Sequence, residues 1–241
     1  MTQLLLIRHA TNDYVDSKRL AGWTPGVHLN ETGRKEAEAL AQRLAPVPLA
    51  AIFSSPLERA VETAAAIARP RGLKVEVREA LGEVQYGEWT GQRLEDLAKT
   101  ELWRCVQFHP SGVRFPGGEA IREMQARAVA AVEVICEAFP EDTVAIVSHA
   151  DVIKAIAAHF IGLHLDLFQR LVIAPASVTA LHLGQMEPRL VCLSAVGSLE
   201  YLIPRPQEQP PAGDGSLATA LTPPTRNGYS PTDVEPDRKG G

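Results

Sequence analysis

Three apolar runs in this chain end on side chains suited to phosphate chemistry. The first, "LLLIRHA" (4–10), passes from four apolar residues straight to Arg8 and His9. The second, "VAIVSHA" (144–150), ends on His149. The third, "FSSPLERA" (53–60), has Ser55 and Pro56 opening a helical pattern, with Arg59 in its first turn. Ligands of open α/β sheets sit off the carboxyl ends of the strands, so the three strand ends are expected to face one crevice. Arg8, His9, Arg59 and His149 would then share a cationic, donor-rich pocket. Guanidinium forks match a phosphoryl group, and a helix N-terminus adds its own attraction for an anion.

Taken singly, each residue has a plainer reading. A histidine at a strand end can be a satisfied structural residue, Arg8 a surface ion-pair partner, and Arg59 a solvated helix residue. The other histidines carry no paired signal. His159 and His182 fall in core-like patterns; His28 and His109 fall in loops that could border a site. No H-x-x-x-H, C-x-x-C or carboxylate cluster with ligand spacing occurs, so neither a metal nor a cofactor is expected.

The elements that must position these residues alternate in type. Strands are expected at 3–7, 49–55, 73–77 and 143–149, and helices at 31–44 (capped by Asn30), 56–68, 119–139 and 151–163. Residues 83–118 read as irregular, with one or two short helices. Residues 176–183 and 189–196 read as a late hairpin around "GQMEP". Such alternation predicts an α/β fold, a three-layer α/β/α sandwich on a mostly parallel sheet. Residues 1–203 form the expected domain. Residues 204–241 hold eight of the eighteen prolines and few large apolar residues, which predicts a disordered tail.

The bulk numbers exclude several classes. A net charge of −5 gives no basic footprint for nucleic acid, and no apolar stretch approaches the ~20 residues of a spanning helix. The N-terminus lacks the charged region and cleavage site of a signal peptide. Three scattered cysteines form neither a disulfide framework nor a zinc pattern, which favours the cytoplasm. The oligomeric state stays open, a homodimer included.

Six blocks occur in order: "LIRHAT", "LAGWTPGVHLNETGRKEAEALAQRL", "IFSSPLERAVETAAAIA", "LGEVQYGEWTG", "FPGGEA" and "VSHADVIKAI". Together they resemble the histidine phosphatase superfamily, in its phosphoglycerate mutase-like branch, over about residues 3–200. The resemblance implies that His9 is the nucleophile that becomes phosphohistidine. It makes Arg8 and Arg59 phosphate ligands, His149 the second pocket histidine, and Glu83 the proton donor. Glu88 is the nearby competitor for the acid role. The chain departs from the family at Ala10, Thr11, Val15 and Ala21. With the usual secondary phosphate contacts gone, Asn12 and then Thr11 are the candidate substitutes; the plainer reading of Asn12 is a cap for the following turn.

The implied activity is hydrolysis of a small phosphomonoester. A cofactor-dependent phosphoglycerate mutase is the alternative, and a non-catalytic phosphate-binding module a third reading. A mutase must also hold a bisphosphorylated acid with extra cations. Here the corresponding segment has only the scattered Lys99, Arg104 and Arg114. Trp89, Trp103, Phe108 and Phe115 either wall a lid or simply pack that segment down.

Overall fold

The computed structural model describes residues 1–184 and 188–204. Among these residues six strands form one sheet: β1 (Thr2–Arg8), β2 (Ala51–Ser54), β3 (Val75–Val77), β4 (Thr143–Ser148), β5 (Val178–Leu183) and β6 (Arg189–Ala195). Their order is β3-β2-β4-β1-β5-β6. The pairs β3/β2, β2/β4 and β4/β1 are parallel; β1/β5 and β5/β6 are antiparallel. The expected hairpin therefore forms, its tip at 185–187 lying outside the described residues. The expected tail lies there too, from residue 205 onward.

Among the described residues seven α-helices accompany the sheet: α1 (Asp13–Asp16), α2 (Glu31–Leu44), α3 (Glu58–Ala68), α4 (Leu94–Leu97), α5 (Glu101–Phe108), α6 (Ile121–Ala138) and α7 (Ala150–Phe160). The central strands are buried on both faces, so they read as continuous apolar runs rather than alternating ones. Alternate side chains nevertheless go opposite ways. Leu5 and Ile7 join a core with α2 and α3, whereas Leu4 and Leu6 join a second core with α6, α7 and the segment 81–115. This is the three-layer sandwich.

That layering locates the crevice. After β1 the chain leaves toward the α2/α3 face, and after the adjacent β4 it leaves as α7 toward the other. Connections that part to opposite faces open a gap at the strand ends. A histidine follows each strand, His9 after β1 and His149 after β4.

Candidate active site

His9 follows β1, and its backbone N–H donates to the Ser148 carbonyl at 2.9 Å. Its Nδ1 lies 2.8 Å from the Ala10 carbonyl oxygen. A carbonyl only accepts, so Nδ1 carries the proton and Nε2 the free lone pair. Burial, then the charges of Arg59 and Arg8, hold His9 well below the usual histidine range. The ring is neutral at pH 7, in the tautomer a nucleophile needs.

His149 is fully buried, with its ring centroid 5.1 Å from that of His9. Its Nε2 is 2.7 Å from Ser55 Oγ; its Nδ1 is 3.4 Å from Arg59 Nη2 and 3.6 Å from Glu83 Oε2. Burial, followed by Arg59, pushes His149 well below its usual range too. Ser55 corrects the sequence expectation. Helix α3 starts at Glu58 with Leu57 as its cap residue, because the Ser55 hydroxyl is drawn to His149 and accepts the Leu57 N–H at 3.3 Å.

Arg59 is 1% exposed. Its Nη2 donates to the Gly22 carbonyl at 2.8 Å. Arg8 Nη1 donates to the Ile173 carbonyl at 2.6 Å. Arg59 Nε, Arg59 Nη1, Arg8 Nε and Asn12 Nδ2 are buried donors without a partner among the described residues. A buried donor left unpaired costs about 1–3 kcal/mol, so these residues favour an anionic acceptor. Asn12 makes the cap of its plainer reading. Its Oδ1 caps α1 by accepting from Tyr14 and Val15 (3.0 and 3.1 Å), which leaves Nδ2 over. Thr11 is placed differently. Its N–H donates to Glu36 at 2.8 Å and its carbonyl accepts from Asn30 at 3.3 Å, facing α2.

A cavity of about 370 Å³ lies over these groups, lined by Arg8, His9, Asn12, Arg59 and Glu83 among others. Thr11 does not line it. The Glu83 carboxyl is 12% exposed. Burial, and next the charge of Asp151, raise it to about 7 against the opposing pull of Arg59. Glu88 is exposed and does not line the cavity. Trp89, Trp103 and Phe115 do, with Trp89 stacked on Trp103 (6.2 Å) and edge-on to Phe115 (5.3 Å). Phe108, by contrast, is 78% exposed. Lys99, Arg104 and Arg114 are not in the lining; Lys99 pairs with Asp96 at 3.0 Å and Arg114 with Glu123.

One polar strip escaped the sequence reading. Asp151 accepts from the Tyr86 hydroxyl and from Lys154, each at 3.0 Å, and Lys154 also reaches Gln169 at 3.0 Å. All four line the cavity. Burial pushes Asp151 up, but Lys154, Tyr86 and Arg8 outweigh it and leave it below the usual carboxylate range. Asp151 and Lys154, three apart in the helix after His149, were the signal available. Among the described residues no group of three or more His, Cys, Asp or Glu is placed to hold a metal.

Known proteins of one family resemble this chain over most of its length. Residues 4–195 match the model of the histidine phosphatase superfamily (branch 1). Over 187 residues the chain is 31% identical to phosphoserine phosphatase 1 of Hydrogenobacter thermophilus, covering 77% of this chain and 88% of that protein. Some other curated relatives are longer, and the chain spans about half their length. Among solved structures, Bacillus stearothermophilus YhfR superposes with a TM-score of 0.76 at 29% identity, over 82% of this chain and 98% of that one. A mycobacterial glucosyl-3-phosphoglycerate phosphatase gives 0.74 at 28% identity, over 80% and 98%. With motif order, fold and relatives in agreement, the chain belongs to the histidine phosphatase superfamily and is a phosphomonoester hydrolase.

Proposed function

We propose that this phosphatase moves the phosphoryl group of a small phosphorylated metabolite first to His9 and then to water. The observation that carries the reading is the His9 ring itself. Its Nδ1 is committed to a carbonyl, and it stands among arginine donors with no partner among the described residues.

In the first step Nε2 attacks phosphorus and the ester P–O bond breaks. Arg8, Arg59 and Asn12 donate to the three phosphoryl oxygens, whose charge grows in the transition state. His149 holds Arg59 from behind, its Nδ1 accepting from Arg59 Nη2 and its Nε2–H donating to Ser55. The leaving alkoxide takes the Glu83 proton, which a carboxyl near 7 can supply. In the second step the Glu83 carboxylate takes a proton from water. The oxygen attacks phosphorus, the P–N bond breaks, and inorganic phosphate leaves with His9 restored.

Hydrolysis rather than mutase chemistry is supported by the lid cations. Lys99, Arg104 and Arg114 do not line the cavity, and of the cations that do beyond Arg8 and Arg59 (Lys18, Arg19, Lys154), Lys154 is already paired with Asp151. A cavity of this size favours a small metabolite over a macromolecule. Arg8 and Arg59 can offset the charge of the phosphoryl group without a metal. Three free cysteines support a reducing, cytoplasmic setting. Composition supports a domain ending at residue 203.

The test is to trap the intermediate. Phosphate label from substrate, quenched rapidly without acid, is expected on His9, and His9→Ala is expected to stay folded with at most traces of activity. Label on a serine or cysteine would contradict this reading.

A further inference from the structure

Glu83 stands on a stretch that no strand holds. β3 ends at Val77, and residues 79–81 form a single tight turn. Yet four consecutive carbonyls before and at Glu83 are each held by a side chain from elsewhere. Arg127 of α6 donates to the carbonyls of Ala80 (2.7 Å), Gly82 (2.9 Å) and Glu83 (3.0 Å). Ser148 donates to that of Leu81 (2.7 Å), and Trp23 adds a second bond to that of Glu83 (2.5 Å). The other two Arg127 bonds go to the Glu119 carboxylate, at 3.0 and 2.7 Å. All five guanidinium N–H groups are thereby used. Glu119 also accepts the Gln85 N–H at 2.8 Å, and its own N–H donates to the Gln85 carbonyl at 3.0 Å. The pair grips the chain on both sides of Glu83.

Stability alone explains this poorly. The two side chains are 22% and 10% exposed, and a buried ion pair often contributes no more than apolar residues of like volume. A planar five-donor fork does provide fixed geometry. A proton donor displaced by about 1 Å can lose about 10²-fold in rate. We infer that Arg127, braced by Glu119, is a positioning residue that sets where the Glu83 carboxyl stands. Neither residue lines the cavity, so both act through Glu83. The inference rests on Glu83 being the acid of the proposed mechanism.

The experiment compares Arg127→Lys, Glu83→Gln and the double variant, each checked for folding by circular dichroism. Lysine keeps the charge and loses the fork. For each, kcat/KM is measured on glycerol phosphate, whose alkoxide needs a proton, and on p-nitrophenyl phosphate, whose phenolate hardly does. Glu83→Gln is expected to lose about 10²–10⁴-fold on glycerol phosphate and far less on the aryl ester. Arg127→Lys is expected to show the same split at about 10–10²-fold, and to change the glycerol phosphate rate of Glu83→Gln by less than about twofold. Equal losses on both substrates, or full additivity with Glu83→Gln, overturn the inference. A Glu83→Gln variant without a split overturns the acid assignment and the brace with it; a split there but not in Arg127→Lys overturns the brace alone. If Arg127→Lys does not fold, Glu119→Gln carries the same comparison.

Discussion

Two carboxylates in one cavity, Glu83 and Asp151, have been driven apart by their partners. Asp151 is bonded to Tyr86 and Lys154 and stays ionised; Glu83, next to that charge and buried, keeps its proton to about 7. An acid must be protonated to donate, so kcat/KM on alkyl phosphates is expected to fall as pH rises through about 7. Asp151→Asn removes a charge that raises Glu83, so the alkaline limb should move to lower pH; a limb that stays put would mean another group titrates. Stability follows the same proton. The unfolded carboxyl releases it near 4.5, the folded one near 7. The native state thus binds the proton more tightly, and the stability this contributes is complete below about 4.5 and lost as pH climbs through about 7. Glu83→Gln should therefore gain in melting temperature relative to wild type between pH 5 and pH 8. A constant difference across that range would show that Glu83 is not held protonated.

At the scale of elements, the nucleophile loop is set by a helix that contributes no residue to the chemistry. Asn30 caps α2 by accepting the Gly33 N–H at 2.9 Å. That puts Gly33 against the Thr11 backbone, where an added Cβ would sit 1.9 Å from the Thr11 carbonyl oxygen. Backbone cannot swing aside as a side-chain tip can. Gly33→Ala is expected to cost about 1–3 kcal/mol in denaturant unfolding. It should also lower kcat under conditions where the variant is fully folded, because the loop it displaces carries His9 and Asn12. Unchanged kcat in a destabilised variant would mean α2 supports the fold without placing the nucleophile.

Across the whole molecule, the apolar surface is arranged as two cores on opposite faces of one sheet. Both cores are filled from residues 1–204, which form one compact unit. Residues 205–241 lie outside the described residues and are poor in large apolar side chains. Deleting 206–241 is expected to leave the melting temperature within about 2 °C and kcat/KM unchanged. A larger drop in either would mean the segment docks on the domain.

Much of this protein was legible along the chain. Continuous apolar runs meant strands buried on both faces, and α2 appeared at 31–44 with its Asn30 cap because both signals are local. Arg8, His9, Arg59 and His149 could be grouped along the chain because each lies at or soon after a strand end, and Glu83 because it lies within a resembling block. The rest depended on what meets across the fold. Ser55 reads as a helix opener until His149, 94 residues away, lies beside it. Thr11 and Asn12 are neighbours, and only the packing of α2 decides which faces the cavity. Phe108 cannot be told from Trp103 until the lid has a surface to lie on. Asp151 becomes a tuner of Glu83 only through distance, and Arg127 a brace only because α6 runs past a turn it shares no sequence with. Local propensity reads neighbours in the chain. Burial, pairing and the shift of a carboxyl toward 7 belong to groups that only tertiary structure brings together.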